Sequence, residues 1–241
     1  NAGTLTYYKN NTSQGVAFSG LTSGPYFPAQ GTSISLQYFN FGQRPFSYTP
    51  PSGFKALNTQ NLSAPAIVKG SSHMNVALDT GANIKTTSQA LYTYYLEWIK
   101  DRANANNHQL ADTVRGNTAI LQSNTPSVET TYTAPSGNSV GWVWNANAAA
   151  VTNTSGTITS QVSANTTAGF SVVTYTGNGA NATVGHGLGV APSMIIVKSR
   201  GTVTNWGVYH SSLGGTGYLA LNLTIANQVN IVFLILMIFD N

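Results

Sequence analysis

Gly169-Phe-Ser-Val-Val-Thr-Tyr-Thr-Gly177-Asn-Gly179, then His186-Gly-Leu-Gly189, Ala191-Pro192, Met194-Ile-Ile-Val-Lys198-Ser-Arg200, Asn205-Trp206 and Tyr218-Leu-Ala-Leu-Asn222, is the later of two related stretches. The earlier one runs from His73 to Asn124 and contains Met74-Asn-Val-Ala-Leu-Asp-Thr80-Gly81, Leu96-Glu-Trp-Ile-Lys100-Asp-Arg102, Asn107-His108 and Ile120-Leu-Gln-Ser-Asn124. From Lys100 onward the two align without a gap at a constant offset of 98. Lys100/Lys198, Arg102/Arg200, Asn107/Asn205, Gly116/Gly214, Thr118/Thr216, Leu121/Leu219 and Asn124/Asn222 are identical pairs. The period is too long for a solenoid and indicates a duplicated β unit.

Each copy reads as a β-meander. Phe170 to Tyr175 is rich in β-branched and aromatic residues, as a strand requires. The following Thr176-Gly-Asn-Gly179 has the chemistry of a tight hairpin. Met194 to Val197 is a continuous apolar run, expected to be covered on both faces, and Lys198 and Arg200 then leave one face together. Ala191-Pro192 keeps the approach to that run extended.

Composition narrows the classes. Charged residues make up 7% of the chain, against about a quarter in ordinary domains, while 41% is hydrophobic. A disordered chain would be poor in apolar residues and rich in charge. This one suits a β-rich protein solvated by amides and hydroxyls. The net charge of +4 comes from scattered residues that form no basic stripe, so nucleic acid is not an expected partner. With no cysteine there is neither disulfide nor thiolate chemistry. Seven Asn-x-Ser/Thr triplets are mostly chance matches in so Asn- and Thr-rich a sequence. No basic-then-apolar leader precedes the first strand-like pattern. Val229 to Phe239 is strongly apolar but about half the length of a membrane-spanning helix, so a buried or interface strand is expected there and no membrane span.

The chain divides into an N-terminal β region at 1–62, a linker at 63–72, the first repeat at 73–124, Ser/Thr/Asn/Gly-rich connecting strands at 125–168, and the second repeat with the apolar tail at 169–241. Strands are expected at Thr4–Tyr8, Gly15–Phe18, Tyr26–Pro28 and Ile34–Phe39, with a turn at Lys9–Thr12. Val140–Trp144 and Gly156–Ser163 read as strands within the connecting region. Trp142 and Trp144 share one face and belong to a core rather than to a sugar platform. Ala111 to Asn117 has room for a turn of helix.

The order Leu5-Thr-Tyr-Tyr8, Gly15-Val-Ala-Phe18, Tyr26-Phe-Pro28, Phe39-Asn-Phe-Gly42, Phe46, Pro51-Ser-Gly-Phe54 and Leu57 resembles the C-terminal half of a SPRY-type domain. With Asn40-Phe-Gly-Gln-Arg-Pro-Phe46 and the two later repeats, it is similar to structural proteins of tailed phages over about residues 1–222. The resemblance implies an all-β fold of concanavalin or jelly-roll-like antiparallel sandwiches, used for binding. It further implies a virion or extracellular location, and a tail fibre, appendage or decoration whose partners are other copies of itself, other virion proteins or a host-surface glycan. Three features depart from the pattern: the front half of the SPRY sandwich is missing, the first repeat lacks the Gly-rich and Ala-Pro signals, and the last twenty residues differ. Half a sandwich exposes an apolar face and open strand edges, so the chain is expected to be a piece of a longer polypeptide or to be completed by neighbours.

Candidate chemistry is sparse. Asp79, Glu97, Asp101, Asp112, Glu129 and Asp240 are the six carboxylates, and a glycosidase needs two flanking one bond. Glu97 and Asp112 are the pair to test for the alternative function, a glycan-active enzyme on a concanavalin-like sandwich. His73, His108, His186 and His210 lack metal-ligand spacing, and no Gly-x-Ser-x-Gly elbow occurs. Neither catalytic residue, metal nor cofactor is therefore expected. Gly185-His-Gly-Leu-Gly189 reads as a turn, because it lacks the Lys-Ser/Thr of a phosphate loop. The candidate ligand-binding residues are Asn205, Trp206, Tyr209 and His210, in which rings stack on sugar faces and Asn and His supply hydrogen bonds. Such a site would equally suit a carbohydrate-binding module standing alone.

Overall fold

The offset of 98 reappears in the hydrogen-bonded sheets. A computed structural model of the chain describes residues 3–22, 26, 29, 31, 36, 38–57, 61–229 and 238–240. The chain falls into two compact units, Asn1–Pro65 and Ala66–Asn241.

In the first unit β1 (Leu5–Lys9) pairs antiparallel with β2 (Thr12–Phe18). Asn10 and Asn11 make the turn at φ of 48° and 64°, the left-handed conformation that asparagine tolerates and a two-residue hairpin demands. Tyr7, Val16 and Phe18 stand exposed on this hairpin. The strands expected at Tyr26–Pro28 and Ile34–Phe39 lie largely outside the described residues.

The second unit is an all-β sandwich of a six-stranded and an eight-stranded sheet. Its first sheet contains β3 (Met74–Asp79), β4 (Tyr95–Asp101), β5 (Gln109–Asp112), β6 (Gly116–Gln122), β7 (Thr130–Thr131) and β8 (Ser139–Asn145), in the order β3-β8-β4-β5-β6-β7. The second contains β9 (Val151–Asn153), β10 (Ser160–Asn165), β11 (Phe170–Tyr175), β12 (Met194–Ser199), β13 (Gly207–His210), β14 (Gly217–Ala220), β15 (Gln228–Val229) and β16 (Ile238–Asp240). Its order is β15-β14-β13-β12-β16-β11-β10-β9. Shifting β5 by the sequence offset lands on β13, and shifting β7 lands on β15. In both sheets the strand that comes last in its copy, β8 or β16, lies between the copy's first two strands. The second sheet adds β9 and β10 to this shared plan.

The two slots are filled in opposite senses. β8 is antiparallel to β3 and β4, whereas β16 is parallel to β11 and β12. The first two strands of each copy therefore run the same way, and parallel strands need a long crossover instead of a hairpin. The tight turn expected at Thr176–Gly179 is accordingly absent: that segment opens the crossover of residues 176–193. In the first copy the crossover of residues 80–94 carries α1 (Ile84–Gln89), which no apolar periodicity in the sequence announced. The turn of helix expected within 111–117 is instead the β5–β6 hairpin. Of the apolar tail, residues 230–237 lie outside the description, and Ile238–Asp240 forms β16.

Alternation along each strand separates an inner from an outer face. Leu96, Leu110 and Leu121 of the first sheet meet Val172, Ile196, Trp206 and Val208 of the second in one shared core. Trp144 packs there too, its ring 6.4 Å from that of Phe170, in line with its expected core role. Part of each outer face is covered by its own crossover. Ala77 and Ile99 pack with Ile84 of α1, and Val162, Val173 and Val197 with Val184. Met194 is half exposed, while Ile195 and Ile196 are buried and face opposite sides of the sheet.

The identical residues do identical work. Lys100 Nζ donates to the carbonyls of Asn104 and Asn106 (3.1 and 2.9 Å), and Lys198 Nζ to those of Ser199 and Thr202 (2.7 and 3.3 Å). Each lysine holds the loop that leaves its own strand. Burial pulls the Lys198 ammonium below its ordinary pKa.

Candidate functional site

The repeat also explains Asn205. Asn222 Nδ2 donates to Asn205 Oδ1 (2.9 Å), and Asn222 Oδ1 accepts the backbone N–H of Trp206 (2.9 Å). In the first copy Asn124 Nδ2 donates to Asn107 Oδ1 (2.8 Å), and Asn124 Oδ1 accepts the N–H of His108 (3.0 Å). The same amide pair thus ties the start of β5 or β13 to the turn after β6 or β14. The identity of both asparagines across the offset was the signal that they are structural.

Trp206 is 0% exposed. Its ring lies in the shared core, and Nε1 donates across the sandwich to the carbonyls of Gln122 (2.9 Å) and Thr125 (3.1 Å). No sugar can stack on it, which corrects its place among the candidate ligand-binding residues. His210 is exposed, with Nδ1 accepting from the Ser212 N–H at 3.2 Å. Tyr209 lines a cavity.

That cavity is a groove of about 920 Å³ on the outer face of the second sheet. Asn153 and Ser155 form one side, the loop carrying His186 and Pro192 another, and Ile195 with Tyr209 the floor. Ile195 and Tyr209 are cross-strand partners. The Gly185–Gly189 loop is a packed turn, as its sequence indicated. A Cβ on Gly185 would run into Asn153 Oδ1 and the Ser155 carbonyl. Gly187 combines φ of +73° with a would-be Cβ 2.9 Å from Val162, so a side chain there is excluded by conformation and by space. Ser160 Oγ donates to the Gly185 carbonyl (3.1 Å), and His186 Nδ1 accepts the Leu188 N–H (3.2 Å). Burial lowers the His186 pKa, so the ring is neutral near pH 7. The groove's lining contains no Asp, Glu, Lys or Arg.

The first copy closes the same position. Glu97 is the offset partner of Ile195, and Ala111 that of Tyr209. Glu97 is fully buried, and Lys85, one residue into α1, donates to its Oε1. A helix and an ion pair occupy in one copy the place that stands open in the other.

The structure does not bring Glu97 and Asp112 together. Asp112 is the cross-strand partner of Leu96 and shares its inner face, whereas Glu97 points to the outer one. Asp112 Oδ1 caps the β5–β6 turn by accepting the N–H groups of Val114 and Arg115 (2.9 and 2.8 Å), and Oδ2 binds Arg115 Nε (2.6 Å). Arg115 continues to Glu129 (3.0 Å), which Arg200 of the second copy also grips (2.7 Å). Asp101 accepts the N–H groups of Ala103 and Asn104 and the amides of Asn104 and Asn106. Among the described residues, no three His, Cys, Asp or Glu gather where they could hold a metal ion.

These carboxylates set an acid limit on stability. Burial pushes Glu129 and Asp101 upward, but the Arg200 and Arg115 bonds to Glu129, and the Asn104 and backbone bonds to Asp101, outweigh it and hold both below the usual carboxylate range. A group whose folded pKa is depressed stabilises fully above its unfolded value, about 4, and loses that contribution as pH falls through the folded value. The share of the urea midpoint owed to these two carboxylates should therefore hold from pH 7 down to about 5 and fall steeply below 4. Asp101→Asn should be weaker at pH 7 and show a shallower acid decline. An unchanged decline in that variant would remove Asp101 from the account.

Two stretches, residues 69–137 and 131–235, match the model of a family described as a domain of unknown function, DUF7483. The chain belongs to the DUF7483 family. The first stretch runs from β3 to β7 and the second from β8, the strand inserted between β3 and β4, to β15, so together they span most of the sandwich. No curated protein and no solved structure matches the chain. No helix among the described residues of this DUF7483 chain is long and apolar enough to cross a membrane.

Proposed function

We propose that the chain is a non-enzymatic structural protein of a tailed-phage virion, from a tail fibre, appendage or decoration, that assembles into a larger particle and presents a glycan-contacting surface. The resemblance of residues 1–222 to such proteins supports the virion setting. The observation that carries the contact surface is the uncharged groove that the second copy leaves open where the first is closed. Its volume lies within the range of small-ligand sites. Tyr209 and Ile195 offer an apolar floor, and Asn153 with Ser155 supplies hydrogen bonds at the side. That pairing suits a neutral sugar, one face of which is C–H and the rim hydroxyl.

The test is binding of the purified chain to a panel of neutral and acidic glycans. Neutral ones should bind, and Tyr209→Ala should weaken binding at least about tenfold, or about 1.4 kcal/mol, while leaving the unfolding midpoint nearly unchanged. His210→Ala should bind as the parent does. Retention of full affinity in Tyr209→Ala, or binding only of acidic glycans, would defeat the groove as the contact site. A chain that stays monomeric at high concentration in electron micrographs, alone and with other virion proteins, would count against the assembly role.

A further inference from the structure

The closed site of the first copy contains a buried amine and a buried carboxyl that no binding role uses. Lys85 Nζ donates to Glu97 Oε1, and the two side chains are 12% and 0% exposed. Glu97 Oε2 has no hydrogen-bond partner, nor has the buried hydroxyl of Tyr132. The Tyr132 ring lies 4.7 Å from Lys85 Nζ and screens it from water on that side. Ile84, Ile99, Ala77 and Leu91 make the surroundings apolar.

A lasting ion pair is poorly supported here. Burying two charges costs several kcal/mol per ion unless the remaining lone pairs are satisfied, and an orphaned carboxylate oxygen adds to that cost. Burial pushes the Glu97 carboxyl upward, against the pull of Lys85, toward the protonated form.

We propose that Lys85 and Glu97 condense into an intramolecular amide, a covalent clamp between α1 and β4. A proton passes from Lys85 Nζ to the Glu97 carboxyl, and the Nζ lone pair so freed attacks Glu97 Cδ and forms the N–C bond. The Cδ–Oε2 bond breaks, Oε2 leaves as hydroxide and takes up a proton released from nitrogen, so one water molecule is lost. No oxidant, reductant or activating group is consumed. Holding both reactants in contact makes the step unimolecular, and burial favours the uncharged product over the ion pair. The amide removes both buried charges and the orphaned oxygen together. This goes beyond the proposed function and does not depend on it, since the clamp belongs to the closed copy.

The test is intact-mass spectrometry of the purified chain, followed by tryptic mapping. The expected mass is one water below that of the sequence. Trypsin should leave Gly70–Lys100 as a single peptide, uncut after Lys85 and lighter by the same water, because an acylated lysine is not a tryptic site. Lys85→Arg and Glu97→Ala should each restore the mass expected from their own sequence. A chain of full sequence mass that trypsin cuts after Lys85 overturns the proposal and leaves an ordinary ion pair. Mapping the water loss to any residue other than Lys85 or Glu97 overturns it as well, and both readouts work on the parent chain even where a variant fails to fold.

Discussion

Trp206→Ala should lower the unfolding free energy of the sandwich by about 3–5 kcal/mol, the usual cost of emptying a fully buried large aromatic site. Two effects add at this position. The ring fills the space between the sheets beside Leu121 and Val172, and its removal leaves a cavity that rigid strands on both sides cannot close. The indole N–H is also shared between the carbonyls of Gln122 and Thr125, so both lose a donor inside the sandwich. Trp206→Phe keeps most of the volume but not the donor and should cost markedly less. Urea denaturation of the three proteins checks the series. A loss in Trp206→Ala of only about 0.5 kcal/mol, the range of an ordinary surface change, would mean the ring is not the bridge described here. Placed beside Tyr209→Ala the result separates two roles in one tetrapeptide: the inward ring for stability and, under the proposed function, the outward ring for binding.

Arg115→Ala is expected to cost about as much, roughly 3–5 kcal/mol, because removing one partner of a buried ion pair strands the other. The Arg115 and Asp112 side chains are both 0% exposed, and Arg115 reaches Glu129 as well. Without the guanidinium, Asp112 keeps only its two backbone donors. Glu129 still has Arg200, so the link between the two copies is weakened and not severed. Glu129→Gln should do less harm, since Glu129 is partly solvated and the amide oxygen still accepts. Thermal or urea unfolding of both variants decides the order, and a milder loss in Arg115→Ala than in Glu129→Gln would reverse this account.

How far the sequence could be read varied with the kind of interaction. Strands such as Phe170–Tyr175 and Met194–Val197 were legible because β-branched runs have few other uses. The crossovers were not. Thr176-Gly-Asn-Gly179 has hairpin chemistry, but local chemistry cannot report that β16 sits between β11 and β12 and makes a hairpin impossible. Helix α1 was missed because its six residues, Ile-Lys-Thr-Thr-Ser-Gln, show no helical period and have poor intrinsic propensity. Its stability comes from covering Ala77 and Ile99. The groove was hidden for a similar reason: part of its wall is the Gly185–Gly189 turn, in which Gly185 and Gly187 mark close packing.

By itself the sequence determined that the chain is built of sheet and that one β unit occurs twice, since residue identities at a constant offset and alternating side chains are local properties. It also contained the amide staples, as Asn107/Asn205 and Asn124/Asn222, in plain sight. Only the tertiary structure decided which neighbour of Trp206 faces outward, that Glu97 and Asp112 lie on opposite faces, and that the two copies close upon each other. The physical reason is that a strand presents two equivalent faces until another sheet covers one. Which face is buried is a property of the pair of sheets and not of either sequence.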